Sequence, residues 1–292
     1  MLRDVVTVEN YRSQAGYAEI SSQLPALIAA GSAVLLSELP FELLLGSGAT
    51  LAFLAARLTT GIPEHMDSPS AGSGDNQVAG NRGYLNGARE FFMYIRGRYP
   101  QVLLVYMIGF PSVFTVAGNS VKPVFIANTL HGDPSFLAFS EAEYAAFAMV
   151  VGLLTPTLQR RLGDAVTLLL LFSAYTSASI VMPMYPSYIV FSTCQAIHGL
   201  GNPGSRVVRK DVVLRSVERG ELGRFNGWVS LLFTLTRVAL IGASTIMIGL
   251  GVRNVMVGFA LIQAALTLLY TLALLRVSAA KKLFLSEPSW ID

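Results

Sequence analysis

A chain of 292 residues with 53% apolar and only 13% charged residues lacks the charged surface that keeps a soluble domain of this length in water. Its net charge of +3 comes from short clusters between long apolar runs, so orientation in a bilayer explains the Lys and Arg better than nucleic acid does. One cysteine, Cys194, excludes intrachain disulfides and cysteine-based metal clusters, and no signal-peptide pattern follows Met1.

The pattern predicts an all-α integral membrane protein with eight transmembrane helices, each near the roughly 20 residues needed to cross hydrocarbon. In chain order they fall at about 16–37, 41–59, 101–127, 140–158, 165–183, 186–205, 225–250 and 253–276. Pro25, Pro111 and Pro156 lie inside or near helix ends and predict kinks. Residues 60–100 form a cytoplasmic linker: its Pro-, Gly- and Ser-rich first part cannot bury a core, and Leu85–Arg96 has the spacing of an interfacial helix. A cytoplasmic tail occupies 277–292.

Loop charge sets the orientation. With the N-terminus inside, all but three of the 21 Lys and Arg fall on cytoplasmic stretches. The exceptions are Lys122 and Arg253, assigned to outer loops, and Arg237, which falls inside a helix. Both termini are then cytoplasmic, and the expected location is the cell (inner) membrane.

An internal repeat gives the organisation. Leu2, Arg3, Val5, Glu9 and Arg12 recur without gaps as Leu214, Arg215, Val217, Glu221 and Arg224, each copy leading into a long apolar helix. The copies precede spans one and seven, so the period is six helices, as in parallel transporter repeats. Residues 1–59 then hold the last two helices of a first half, 101–276 a complete second half, and four helices are expected before Met1.

Several polar residues sit at depths where they are costly. Arg237 lies about 20 Å along its helix from Arg224, near mid-membrane. It serves an ion or solute path, or it is a structural strut held by a facing helix. Glu19 lies a turn or two inside span one, where it either reaches water or forms a gating pair with a basic loop residue. Gln195, His198 and Asn202 share one helical face with Phe191 and could bind a solute, pass a proton or join helices as polar glue. Tyr106 and Asn119 on span three are further candidates beside Phe110 and Phe114. His65, His131 and His198 are too scattered for a metal site, and no nucleotide loop, nucleophile elbow or paired intramembrane carboxylates occur. The expected metal and cofactor content is none.

The runs Arg89–Pro100, Gln159–Asp164 and Glu221–Gly227 resemble the loops before the seventh helix, between the eighth and ninth, and entering the eleventh of the major facilitator superfamily of secondary transporters. The resemblance implies alternating access for a small organic or amphiphilic solute, with proton coupling usual and texture nearest the macrolide and siderophore exporters. It also implies that spans three and six line the cavity, and that Arg160, Arg161 and Asp164 belong to a gating loop. Where that family's drug exporters carry a Gly-Pro motif, this chain reads Pro25-Ala26-Leu27-Ile28-Ala29-Ala30-Gly31, which argues against antiport. The expected partners are the lipid bilayer, a solute and protons, with no nucleic acid. Two other classes stay open: a non-transporting membrane scaffold or remnant, and a membrane-embedded transferase, for which Asp164, Asp211 and Glu218 supply no convergent acidic set.

Overall fold

The computed structural model describes residues 11–36 and 93–276. The first copy of the repeat through Glu9, the span at 41–59, most of the 60–100 linker and the 277–292 tail lie outside the described residues. The chain divides into two compact units, residues 1–31 with 99–292, and residues 32–98; in the second, residues 93–97 are helical.

All regular structure among the described residues is helical. The helices are α1 (Tyr11–Leu36), α2 (Tyr99–Phe125), α3 (Pro134–Met184), α4 (Tyr188–Ser216), α5 (Leu222–Met247) and α6 (Val252–Arg276). The repeat pairs Tyr11 with Gly223, one residue from the start of α5. Among the described residues, four stretches are long and apolar enough to cross a membrane: Tyr99–Leu130, Pro134–Met184, Leu222–Leu250 and Val252–Ala273. Helices α1 and α4 are not among them.

Local chemistry sets the helix ends. Asp133 caps α3 by accepting from the Phe136 amide at 2.9 Å, with Pro134 in the first turn, where no amide donor is needed. Ser187 caps α4 in the same way. Past Pro123, α2 widens into a π turn over Ile126–Leu130 and stops at His131, which takes the left-handed conformation (φ 56°).

A straight helix of 51 residues would be about 76 Å long, far beyond any bilayer. Gly163 solves this by leaving helical geometry at φ 79°, ψ 164°. The contacts of α3 with α4 show the consequence. Along the first arm, Glu143 meets Ser192, Tyr144 meets Asn202 and Gln159 meets Asp211, so this arm runs parallel to α4. Along the second, Asp164 meets Arg215, Tyr175 lies against Gly201 and Ser179 meets His198, so this arm runs back. Helix α3 is therefore a hairpin of two arms, matching the segments expected at 140–158 and 165–183. Only glycine readily holds the Gly163 conformation, and a Cβ there would touch nothing. Gly163→Ala should therefore cost about 1–3 kcal/mol of backbone strain alone. Chemical denaturation in micelles checks it, and an unchanged midpoint would mean the turn relaxes without loss.

Helix α4 differs from its expected extent of 186–205. It continues to Ser216, so Arg206, Arg209, Lys210, Asp211 and Arg215, expected in a cytoplasmic loop, stand instead on a packed helix. Glycines let it sit deep between the arms of α3: a Cβ on Gly199 would strike the Tyr144 carbonyl, and one on Gly201 the Tyr175 side chain. Two apolar clusters fill the bundle. One joins Ile108, Phe110 and Phe114 of α2 to Leu168 and Phe172 of α3, Val208 of α4 and Tyr270 of α6. The other joins Phe125 to Met182, Phe191, Cys194 and Val255. Helix α5 buries only a narrow strip, Phe225, Val229 and Phe233, plus Ser244, and leaves Leu235, Val238 and Ile246 exposed.

Candidate functional site

Ionisable and polar side chains gather in three places inside this apolar frame. The first is at the hairpin end. Asp164 and Asp211 are buried side by side, and the Gln159 amide donates to both, at 2.9 and 3.0 Å. Arg215 reaches Asp164 at 2.5 Å and Asp211 at 2.7 Å, and Arg12 of α1 reaches Asp211 at 3.3 Å. Burial pushes the Asp211 carboxyl above its ordinary range, against the pull of Arg215. Two carboxylates are tolerable here because two guanidiniums and an amide share them.

The second place joins α1 to α4. Glu19 is 1% exposed and takes Arg206 at 2.5 Å, Lys210 at 3.4 Å and the Gln23 amide at 3.0 Å. Of its two sequence alternatives, reaching water is overturned: Glu19 is enclosed, and its cations come from the extended end of α4. Backbones pack closely beside it, where Gly16 of α1 faces Gly152 of α3.

The third place lies towards the other end of α4. His198 bonds Ser179 at 3.0 Å and Gln195 at 3.3 Å, and its ring lies 4.7 Å from that of Tyr175. Asn202 donates to the Tyr144 hydroxyl at 2.7 Å, and Tyr175 bonds Thr115 at 3.0 Å. Lys122, expected in an outer loop, is instead buried within α2, 3.2 Å from Glu141 and over the Tyr144 ring. A cavity of about 50 Å³ touches Lys122, Tyr175, Ser179, His198 and Gln263. That is room for a few waters, at roughly 15 Å³ or less each, and not for an organic solute. Gln195 Nε2, Asn202 Oδ1 and Gln263 Oε1 face no partner among the described residues, so the network has capacity to spare.

No protein-family model and no curated protein matches this chain.

The structure brings Gln195, His198 and Asn202 together and leaves other candidates apart. Asn119 is exposed on α2. Arg160 and Arg161 are also exposed; Arg160 donates to Thr157, and Asp164 pairs with Arg215 and Arg12 instead. Tyr106 bonds Thr236 of α5 at 2.6 Å and stacks on Phe233. Arg237 turns towards α2, donating to Ser112 at 3.0 Å. Sequence reasoning missed Arg12, Arg215, Arg206, Arg209 and Lys122 as site residues, because it spent them on orientation. The one available signal was spacing: Arg206, Arg209 and Lys210 follow Asn202 at helical intervals, with no Gly or Pro between Gly204 and Gly220. Among the described residues no three His, Cys, Asp or Glu could hold a metal ion.

Proposed function

We propose that this chain is a membrane-embedded secondary transporter of the major facilitator kind, moving a small organic or amphiphilic solute by alternating access. The observation that carries it is the burial of Glu19 and Lys122, both inside expected spans, within a bundle of apolar helices. An ionisable group in hydrocarbon costs a few kcal/mol or more, so such groups normally serve a path or a gate. In this reading eight helices cross the cell membrane with both termini cytoplasmic. Helix α1 belongs to the first half, and α2–α6 make up the second. The Arg12 and Glu19 ion pairs then tie the halves at the cytoplasmic end and must break for that end to open. The Lys122–Tyr144–Asn202 and His198 networks lie on the opposite side of the barrier, where polar groups with spare capacity can meet water or protons. We read the chain as a carrier and not an enzyme, needing no cofactor.

The test is flux. Proteoliposomes holding the purified chain and a trapped pH dye would be challenged with a panel of amphiphilic solutes. Saturable solute flux accompanied by proton movement is expected. A correctly inserted chain that moves neither solute nor protons overturns the proposal and leaves the scaffold reading.

A further inference from the structure

Cations outnumber acids on one side of α4. Arg206, Arg209 and Lys210 share a helical face, and among the described residues only Glu19 pairs with any of them. Arg209 lies over the Phe233 ring at 4.8 Å, and Arg237, one turn along α5, approaches the same ring at 6.0 Å. Neither guanidinium has a carboxylate partner among the described residues. Each of the three arginines keeps a buried N–H with no acceptor among the described residues: Nε of Arg206, Nη1 of Arg209 and Nε of Arg237. Leaving such a donor unmet is expensive, so three in one neighbourhood need an account.

The surroundings have a shape to match. A cleft of about 480 Å³ between α2, α4 and α5 is lined by Arg209, Lys210, Asn226, Val229, Ser230 and Phe233. That is the size of a small-molecule site, and it joins a basic wall to an apolar one. Gly109 of α2 keeps the site open, because a side chain there would run into both Phe233 and Arg209. Tyr106 stacks on Phe233 at 5.3 Å and helps to hold the ring that both guanidiniums approach.

We propose that Arg209 and Phe233 of this cleft, with Arg237 beside the ring but outside the cleft lining, form a binding site for an organic anion, a carboxylate or phosphate head on an apolar body. Guanidinium forks match such heads, and the ring and Val229 take the body. The proposal rests on the transport reading for its role, since it names the solute class, but not for its existence. A free solute and an anionic lipid headgroup share this chemistry.

Isothermal titration on the full chain in phosphatidylcholine nanodiscs tests it, with phenyl phosphate as the probe and phenyltrimethylammonium as its cationic counterpart. Saturable binding of phenyl phosphate alone is expected, weakened at least tenfold by Arg209→Gln and by Arg237→Gln. Arg237→Lys, which keeps the charge and loses the fork, should fall between and serves if a glutamine variant does not fold. Binding that disappears in phosphatidylglycerol nanodiscs assigns the site to a lipid headgroup; binding that persists there assigns it to a free solute. Absence of saturable binding, equal binding of the cation, or indifference to all three variants overturns the site. Phenyl phosphate binding without flux sustains the site and sinks the transport reading, whereas flux of other solutes without this binding does the reverse.

Discussion

Replacing Arg215 with methionine is expected to destabilise the chain by about 3–5 kcal/mol at neutral pH, the usual cost of removing one partner from a buried ion pair. Arg215 is the group that holds Asp164 and Asp211 together: its fork contacts both, from 2.5 to 3.1 Å. Methionine keeps much of the apolar stem, so the loss is chiefly electrostatic. What remains is one Gln159 amide shared by two carboxylates, and Arg12 at 3.3 and 3.7 Å with 31% of its side chain exposed. The pH dependence follows from Asp211, whose carboxyl already sits above its reference of 3.8 because of burial. Removing the Arg215 charge takes away the foremost opposing pull and raises it further. A carboxyl raised in the fold binds its proton more tightly there than in the unfolded chain. Its stability contribution is therefore present below about 3.8 and lost as pH rises through the folded value. The deficit of Arg215→Met should shrink on acidification towards pH 4 and widen towards neutrality. Denaturant titrations in micelles across that range measure it, and a deficit that stays flat with pH removes the shared-carboxylate argument.

Apolar runs and their boundaries were legible because burying or dissolving about 20 consecutive apolar residues leaves few options. The stretches expected at 101–127, 165–183, 225–250 and 253–276 appear as helices whose ends differ by a few residues at most. The segment at 140–158 was harder, since Glu141 and Glu143 open it; they are held by Lys122 and Ser192, partners distant in sequence. The end of α4 was misjudged for a related reason. Arg206, Arg209, Lys210, Asp211 and Arg215 have the composition of a loop, and only their tertiary partners make them a helix. The same limit applies to the site. His198 and Gln195 announce themselves by spacing on one helix, but nothing local reveals that Lys122 lies over Tyr144 or that Arg215 reaches back to Asp164. Arg237 was found through depth alone, and its position beside Phe233 and Ser112 requires the packing of α5 on α2.

The Glu19–Arg206 pair is where stability and gating can be separated. Glu19→Gln leaves Arg206 and Lys210 without their acid on a helix face that also carries Arg209, so a loss of about 3–5 kcal/mol is expected. Arg206→Gln should cost less, about 1–3 kcal/mol, because Lys210 stays 3.4 Å from Glu19 and Gln23 stays 3.0 Å from it. The double variant strands only Lys210 and no longer Arg206, so its loss should fall short of the sum of the singles by up to about 3 kcal/mol. That shortfall is the coupling between α1 and α4, measured by denaturant titration of all four proteins. If it is near zero, the close contact between Glu19 and Arg206 is incidental and α1 is held by the Arg12 pairs and the Gly16–Gly152 approach instead. If it is large, the pair is a latch, and a latch makes a second demand. On the proposed transport reading, the double variant should open more readily than the parent at the end where α1 meets Arg206 and Lys210 of α4. Maleimide labelling of a cysteine at Gln14, in a Cys194→Ala background, would then be faster in the double variant. Equal labelling rates with a large coupling energy would make Glu19 a strut that holds α1 in place in every state of the protein.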